Sequence, residues 1–311
     1  MPSRRLCLHF LMLVALLSAS ALHANTWTDP EKAAAEHPDF LLQGEYVGER
    51  NGTKTGLQAA SLNNGRFLVA VYQGGLPGDG WSRSKVESSV LEREALENRV
   101  QGLQRVERES MTLGRKPPQG AVVIFDGEKT DNIEGRVENG LLWPPAKTTH
   151  AFGDFQMHLE FRMPFKPNVN PSNQDRGNSG IYIYNRYECQ ILDTFALDFD
   201  RDNNPINLES DSNQWAACLY KFKEADINMS YPPLQWQTYD IKFTAPVFVD
   251  GKKTANARIT LWHNGVMVHD DVELPKGTGI GGTRPEIAEG EIYFQEHGNP
   301  VAFRNVWIVP N

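Results

Sequence analysis

The stretch 257-ARITLWHNGVMVHD-270 decides the fold. Apolar residues alternate with others on both sides of Asn264-Gly265. An Asn-Gly pair between alternating runs is the strongest short-range hairpin signal, because both turn residues must take positive φ. The pattern reads as two antiparallel strands rather than a helix. Working outward, the same texture recurs in AVVIFDG (121–127), VENGLLW (137–143) around Asn139-Gly140, FQMHLEFRM (155–163), SGIYIY (179–184) and YECQILD (187–193). It continues in TYDIKFTAPVF (238–248), GEIYFQEHG (290–298) and VAFRNVWIV (301–309). Short strands separated by turn signals, with little helical periodicity, predict an all-β fold: a jelly-roll sandwich with one curved face.

Residues 25–120 differ in texture. GEYVGE (44–49) and GRFLVAVYQGG (65–75) predict strands, while Val86, Val90, Leu91 and Leu96 among charges predict a short amphipathic helix over 85–98. A boundary near Pro117-Pro118-Gln119-Gly120 divides a small accessory β-rich region with its linker (25–120) from the main domain (121–311). At the start, Arg4-Arg5, the apolar run Leu6 to Leu17 and Ala-Leu-His-Ala at 21–24 read as a secretory signal cleaved after Ala24. That run is too short to remain as a membrane span, and no cysteine follows the cut to carry a lipid. The expectation is an exported protein, periplasmic or extracellular.

Loss of residues 1–24 removes Arg4 and Arg5 and no acid, so Lys+Arg falls from 31 to 29 against 39 Asp+Glu, a formal charge of −10. An acidic chain without a basic run suits neither nucleic acid nor an anionic membrane, and leaves uncharged or cationic ligands. Cys189 and Cys218 remain after the leader, as one disulfide or as two buried thiols; neither has a C-x-x-C partner for a thiolate zinc site.

The chemistry concentrates in RGNSGIYIYNRYECQILD (176–193). Strict alternation puts Glu188 and Gln190 on one face and Asp193 on the other, whereas a β-bulge after Gln190 would turn Asp193 into the same cleft. The spacing E-x-Q-x-x-D resembles the E-x-D-x-x-E strand of laminarinase-type retaining glycosidases, with an amide in place of the middle acid and a shorter last acid. Double displacement needs carboxyls about 5 to 5.5 Å apart. Four strand steps separate these two backbones by about 13 Å, and the shorter Asp193 widens the gap. An inverting or non-hydrolytic route is therefore favoured. Tyr182, Tyr184, Arg186 and Tyr187 around Glu188 supply the rings and planar polar groups that sugars bind. His297, just before a Gly-Asn-Pro turn, reads as a general base or metal ligand, or as a turn histidine bonding its own loop. His150 is weaker, and so is His158, which is expected to face solvent. Trp262 and Trp307 are expected in the core, and Gly279–Gly282 as a flexible loop rather than a phosphate cradle. Without an H-E-x-x-H or H-x-H pattern, any metal site must assemble from distant strands.

Five blocks, DFQMHLEFRMPF, RGNSGIYIYNRYECQILD, PPLQWQTYDIKF, ARITLWHNGVMVHD and FQEHGNPVAFRNVWIV, in this order and spacing, resemble the 3-keto-disaccharide hydrolase family over about residues 121–310. The resemblance implies a concanavalin-A-like jelly roll and action on glycosides oxidised at C3. There the ketone acidifies the C2 proton, a base removes it, and the C1 substituent leaves by β-elimination; the outcome is hydrolysis if water adds to the enone, a lyase product if not. Such an enzyme needs one base and an electrophile at the C3 oxygen, which one divalent metal ion bridging the ketone and the C2 hydroxyl would supply. By the same resemblance Glu188 and His297 carry the proton transfers or hold the metal, and Asp193 and Gln190 act as ligands or supporting groups. Asn178, Tyr182, Arg186 and Gln295 contact sugar hydroxyls. Two rival readings stay open: a non-catalytic carbohydrate-binding jelly-roll module, and a glycosidase on unoxidised glucans.

Overall fold

The computed structural model describes residues 26–128 and 131–311; the expected export leader, 1–24, lies outside the described residues. The chain is all-β. In the N-terminal region β1 (Gly44–Arg50), β2 (Thr53–Ser61), β3 (Arg66–Gln73), β4 (Glu87–Glu92) and β5 (Gln104–Val106) form an antiparallel sheet in the order β4-β3-β2-β1-β5. The segment expected as a helix over 85–98 is instead an edge strand, β4, followed by a helix at Arg93–Val100. One face of this sheet buries Leu57, Ala59, Phe67, Val69 and Val71 against Leu96 of that helix. The alternate residues Ala60, Leu68, Ala70 and Tyr72 join the core of the main domain.

The main domain contains β6 (Val122–Phe125), β7 (Ile133–Glu138), β8 (Leu141–Thr148), β9 (Phe155–Arg162), β10 (Ser179–Ile183) and β11 (Tyr187–Ile191). After a long loop come β12 (Trp236–Thr244), β13 (Val247–Val249), β14 (Lys252–Ala255), β15 (Ala257–His263), β16 (Val266–Leu274), β17 (Ile292–Phe294) and β18 (Ala302–Pro310). The main path runs β11-β10-β17-β8-β18-β9-β12-β15-β16, with β6 on β18, β7 on β8, and β13 paired with β14 apart. The Asn264-Gly265 and Asn139-Gly140 turns fall where expected, all four residues at positive φ.

The sheet folds back on itself into a sandwich. Tyr239 of β12 donates its hydroxyl to the Gln190 carbonyl of β11 at 2.6 Å and accepts from the Ala217 amide at 2.8 Å. Phe243 packs on Tyr184 and Tyr187 at 5.3 Å, and Phe294 meets Phe303 at 5.1 Å. One layer is therefore β11-β10-β17-β8, the other β18-β9-β12-β15-β16, with the apolar alternate residues of both between them. Cys189 and Cys218 lie in this core as free thiols.

On the outer face of the second layer, cross-strand pairing lines up Trp307, His158, Asp240 and Trp262 in one row. His158 is fully buried, not solvent-facing, because the linker after β5 straps across this row. Thr112 donates to Asp240 at 2.7 Å, the Gly114 amide to Glu160 at 2.6 Å, and Arg115 lies over Trp307. Trp307 is buried by that strap and stacks on His158, while Trp262, expected in the core, is only half-buried because its register points it outward.

Candidate active site

The first layer's outer face carries the residues singled out in 176–193. Tyr182 pairs with Glu188 and Tyr293, and Gly180 with Gln190, while the Gln295 amide donates to the Gly180 carbonyl at 2.9 Å. Directly opposed residues share a face, so Glu188, Gln190, Tyr182, Tyr293 and Gln295 project together around Gly180. Ile181, Ile183, Cys189, Ile191 and Phe294 point the other way into the core. A Cβ on Gly180 would stand 2.9 Å from Glu188 Oε1 and 3.3 Å from Gln295 Oε1. The missing side chain thus makes the small hollow that these two groups themselves fill.

The far side of the hollow is built by loops. Residues 217–220 pair along β11 as an added edge: Ala217 donates to the Gln190 carbonyl, Gln190 to that of Cys218 and Tyr220 to that of Glu188. This brings Tyr220 and Lys221 beside Glu188. The Gly279–Thr283 turn is held rather than loose. Thr278 donates its amide to the Arg186 carbonyl at 2.8 Å and accepts the Glu188 amide on its hydroxyl at 2.8 Å. Gly281 lies so close that a Cβ there would be 2.1 Å from the Arg186 oxygen. Gly279, at φ +49°, abuts Tyr220.

Glu188 is 2 % exposed, and burial raises its carboxyl to about 7, opposed by the Tyr182 hydrogen bond and the Lys221 charge. Burial and the Glu188 charge push the Tyr182 hydroxyl far above its ordinary range, so it remains a donor. Gln190 donates to Gln174 Oε1 at 3.0 Å and to the Gln214 carbonyl at 3.2 Å, and Asn178 to the same Gln174 oxygen at 3.3 Å. Glu188 Oε2 and the side-chain oxygens of Asn178, Gln190 and Gln295 are buried without a hydrogen-bond partner. Buried acceptors in this state call for a donor, and sugar hydroxyls are donors.

The structure gathers Glu188, Gln190, Tyr182, Asn178 and Gln295 and separates the remaining candidates from them. The strand runs without a bulge through Ile191. Asp193 is fully buried and ion-paired with Arg176 at 2.8 Å, its second oxygen accepting the Phe195 amide. Arg186 donates to the Pro285 and Tyr184 carbonyls, clamping the glycine-rich loop to the β10–β11 hairpin. His297 lies two residues beyond Gln295 on an exposed turn, its carbonyl accepting from Asn299. Among the described residues no hydrogen bond or ion pair joins it to Glu188. His150 is exposed at the end of β8. Gln174, Gly180, Tyr220, Lys221 and Thr278 were not singled out from the sequence. Only Gly180 carries a signal there, as a side-chain gap inside an otherwise bulky strand.

Residues 120–309 match the 3-keto-alpha-glucoside-1,2-lyase-like domain. The chain belongs to this family. A Parabacteroides distasonis ATCC 8503 protein provisionally described as a glycosyl hydrolase is 31% identical, with a TM-score of 0.51 over 62% of this chain and 85% of that one. A second from the same organism, with the same description, is 18% identical at a TM-score of 0.44 over 62% of this chain and 94% of its own. The carbohydrate-binding module CBM66 of Bacillus subtilis is 10% identical at 0.22, over 60% and 93%. The last two values are too low to bear on the site. No curated protein matches the sequence. The 3-keto-alpha-glucoside-1,2-lyase-like domain thus begins just after the strap, and Glu188, Gln190, Tyr182 and Gln295 all lie within it.

Proposed function

We propose that this protein cleaves glycosides carrying a ketone at C3, with Glu188 as the base that takes the C2 proton. The observation that carries this reading is one buried carboxyl, raised to about 7, above a glycine floor and flanked by amide oxygens without partners. Of the two acids in 187–193, Asp193, just beyond β11, is engaged by Arg176. A matched carboxylate pair is what retaining and inverting glycosidases both require, and elimination is not. At neutral pH Glu188 is part carboxylate and part acid, suited to removing a proton and returning it to the departing C1 oxygen. Tyr182, held protonated beside it, donates to an oxygen on which charge develops. Asn178, Gln190 and Gln295 hold the ring hydroxyls.

A divalent cation at the C3 ketone would meet the Glu188 carboxylate and the neutral oxygens of Gln190 and Gln295, a hard-oxygen set of the kind Mg²⁺ or Ca²⁺ takes. When bound, such an ion supplies the electrophile at the ketone. Exposed His297 stands outside that set. Export through the 1–24 leader is part of the same proposal and places the reaction in the periplasm or outside the cell.

The test is to incubate the purified protein with a 3-keto-disaccharide and with its unoxidised parent, before and after chelation, alongside Glu188→Gln. The expected result is turnover of the keto sugar alone and its loss in the variant. Full turnover by Glu188→Gln overturns the assignment. Sugar release from the unoxidised parent identifies an ordinary glycosidase, and binding without turnover of either identifies a carbohydrate-binding module.

A further inference from the structure

We propose that the N-terminal sheet builds a distal sugar-binding crevice, which receives the leaving-group side of an oligosaccharide glycoside. This rests on the glycoside-cleaving reading above and assigns a task to residues outside the matched domain. Tyr72 at the end of β3 and Trp81 meet edge to face at 5.2 Å. Tyr72, 3 % exposed and bonded through its hydroxyl to Gln58, backs Trp81, which with Arg83 forms one wall of a cavity of about 210 Å³; the other wall is Phe199, Asp226 and Asn228 of the main domain. Trp81 is half-buried, with its indole N–H donated to the Ser84 carbonyl at 3.1 Å. That bond fixes the ring while leaving part of its surface open. Aromatic faces stack on the apolar faces of pyranoses, and guanidinium and amide groups bond their hydroxyls.

The crevice shares a wall with a second groove. Phe199 and Asp226 also line an open groove of about 580 Å³ that runs along Phe222 to Asn213. Asn213 accepts the Lys221 amide on its carbonyl, and its side-chain oxygen is buried without a partner. Its neighbour Gln214 accepts from Gln190 on its carbonyl and from Tyr220 on its side chain. The groove ends at Asn213, next in the chain to Gln214 of the wall beside Glu188, and the proposed path of an oligosaccharide seated at Glu188 passes over that wall along Asn213 and Phe222 to Trp81.

Two measurements on the full chain decide this. The first is kcat/KM for a 3-keto-tetrasaccharide over that for methyl 3-keto-glucoside. The second is the Kd of the unoxidised tetrasaccharide by calorimetry, which involves no chemistry and stands even if neither keto sugar is cleaved. Trp81→Ala is expected to lower the ratio about tenfold and weaken the Kd about tenfold, the loss of one ring stack. Arg83→Ala, at an exposed position whose loss leaves the core intact, is expected to change both in the same direction by about threefold. An unchanged Kd in both variants, or equal losses on the long and the short substrate, overturns the crevice. Absence of turnover with a weakened Kd in the variants overturns the chemistry and keeps the crevice.

Discussion

Glu188→Gln has a consequence for stability that is independent of any substrate. The folded carboxyl has a pKa of about 7, while in the unfolded chain it returns to the ordinary 4.5. Because the folded value is the higher one, the folded state holds the proton more tightly. Its stability is fully present below 4.5 and declines as pH rises through 7. Each pH unit of that window is worth about 1.4 kcal/mol, so between pH 5 and pH 8 the wild type loses about 2.5 kcal/mol through this group. Glutamine fills the same volume without titrating. The difference in unfolding free energy, variant minus wild type, is expected to rise by about 2.5 kcal/mol from pH 5 to pH 8 in urea titrations followed by tryptophan fluorescence. All other titrating groups cancel in that difference. Parallel stability profiles for the two proteins would refute the claim that burial lifts this carboxyl. The same direction bears on activity: without a bound cation, kcat/KM on a 3-keto-glycoside is expected to fall as pH drops below about 7, since the carboxylate is the active form.

Further outcomes follow from named contacts. Gly180→Ala has no positive φ to oppose it, so the fold is retained, but its methyl meets Glu188 and Gln295 at 2.9 and 3.3 Å; kcat/KM is expected to fall by about tenfold or more, read by steady-state kinetics with circular dichroism as control. Asp193→Asn leaves the buried Arg176 guanidinium without its counter-charge and is expected to cost about 3 kcal/mol in urea unfolding. His269 is held neutral by burial, with a pKa lowered to about 4, while donating to the Ala217 carbonyl. Its contribution is whole above about 6.5 and declines as pH falls toward 4. The wild type is therefore expected to lose about 2.5 kcal/mol relative to His269→Gln between pH 7.5 and 4.5, measured by urea unfolding at both values.

The fold was legible where local chemistry and tertiary pairing agree. The Asn-Gly turns and the alternation of 257–270 specify their strands without help, since no other backbone accommodates both. The 85–98 segment misled because an edge strand is covered on one side only. In β4, Ser88, Ser89, Val90 and Leu91 are all half-buried, so no period of two appears, and Val86 and Val90, four residues apart, mimic helical spacing. At the site, Glu188 and Gln190 could be read from alternation in one strand. Tyr220, Lys221 and Thr278 could not, because they arrive from loops about 30 and 90 residues away, held by long-range backbone bonds and, at Thr278, by one hydroxyl that local sequence does not pair with Glu188. Asp193 illustrates the same limit. Its spacing allowed a bulge, and the deciding partner, Arg176, was visible only as one more charge in a polar loop.

The strap across the second layer bears on how the protein can be divided. The family match begins at residue 120, which invites trimming there. That cut removes Thr112 and Gly114 from Asp240 and Glu160, and uncovers the His158 row. It also strips Leu68, Ala70 and Tyr72 from the shared core. The sequence boundary and the folding boundary are therefore different places, and a chain shortened to the matched segment presents a wet, unpaired face where the intact protein has a seam.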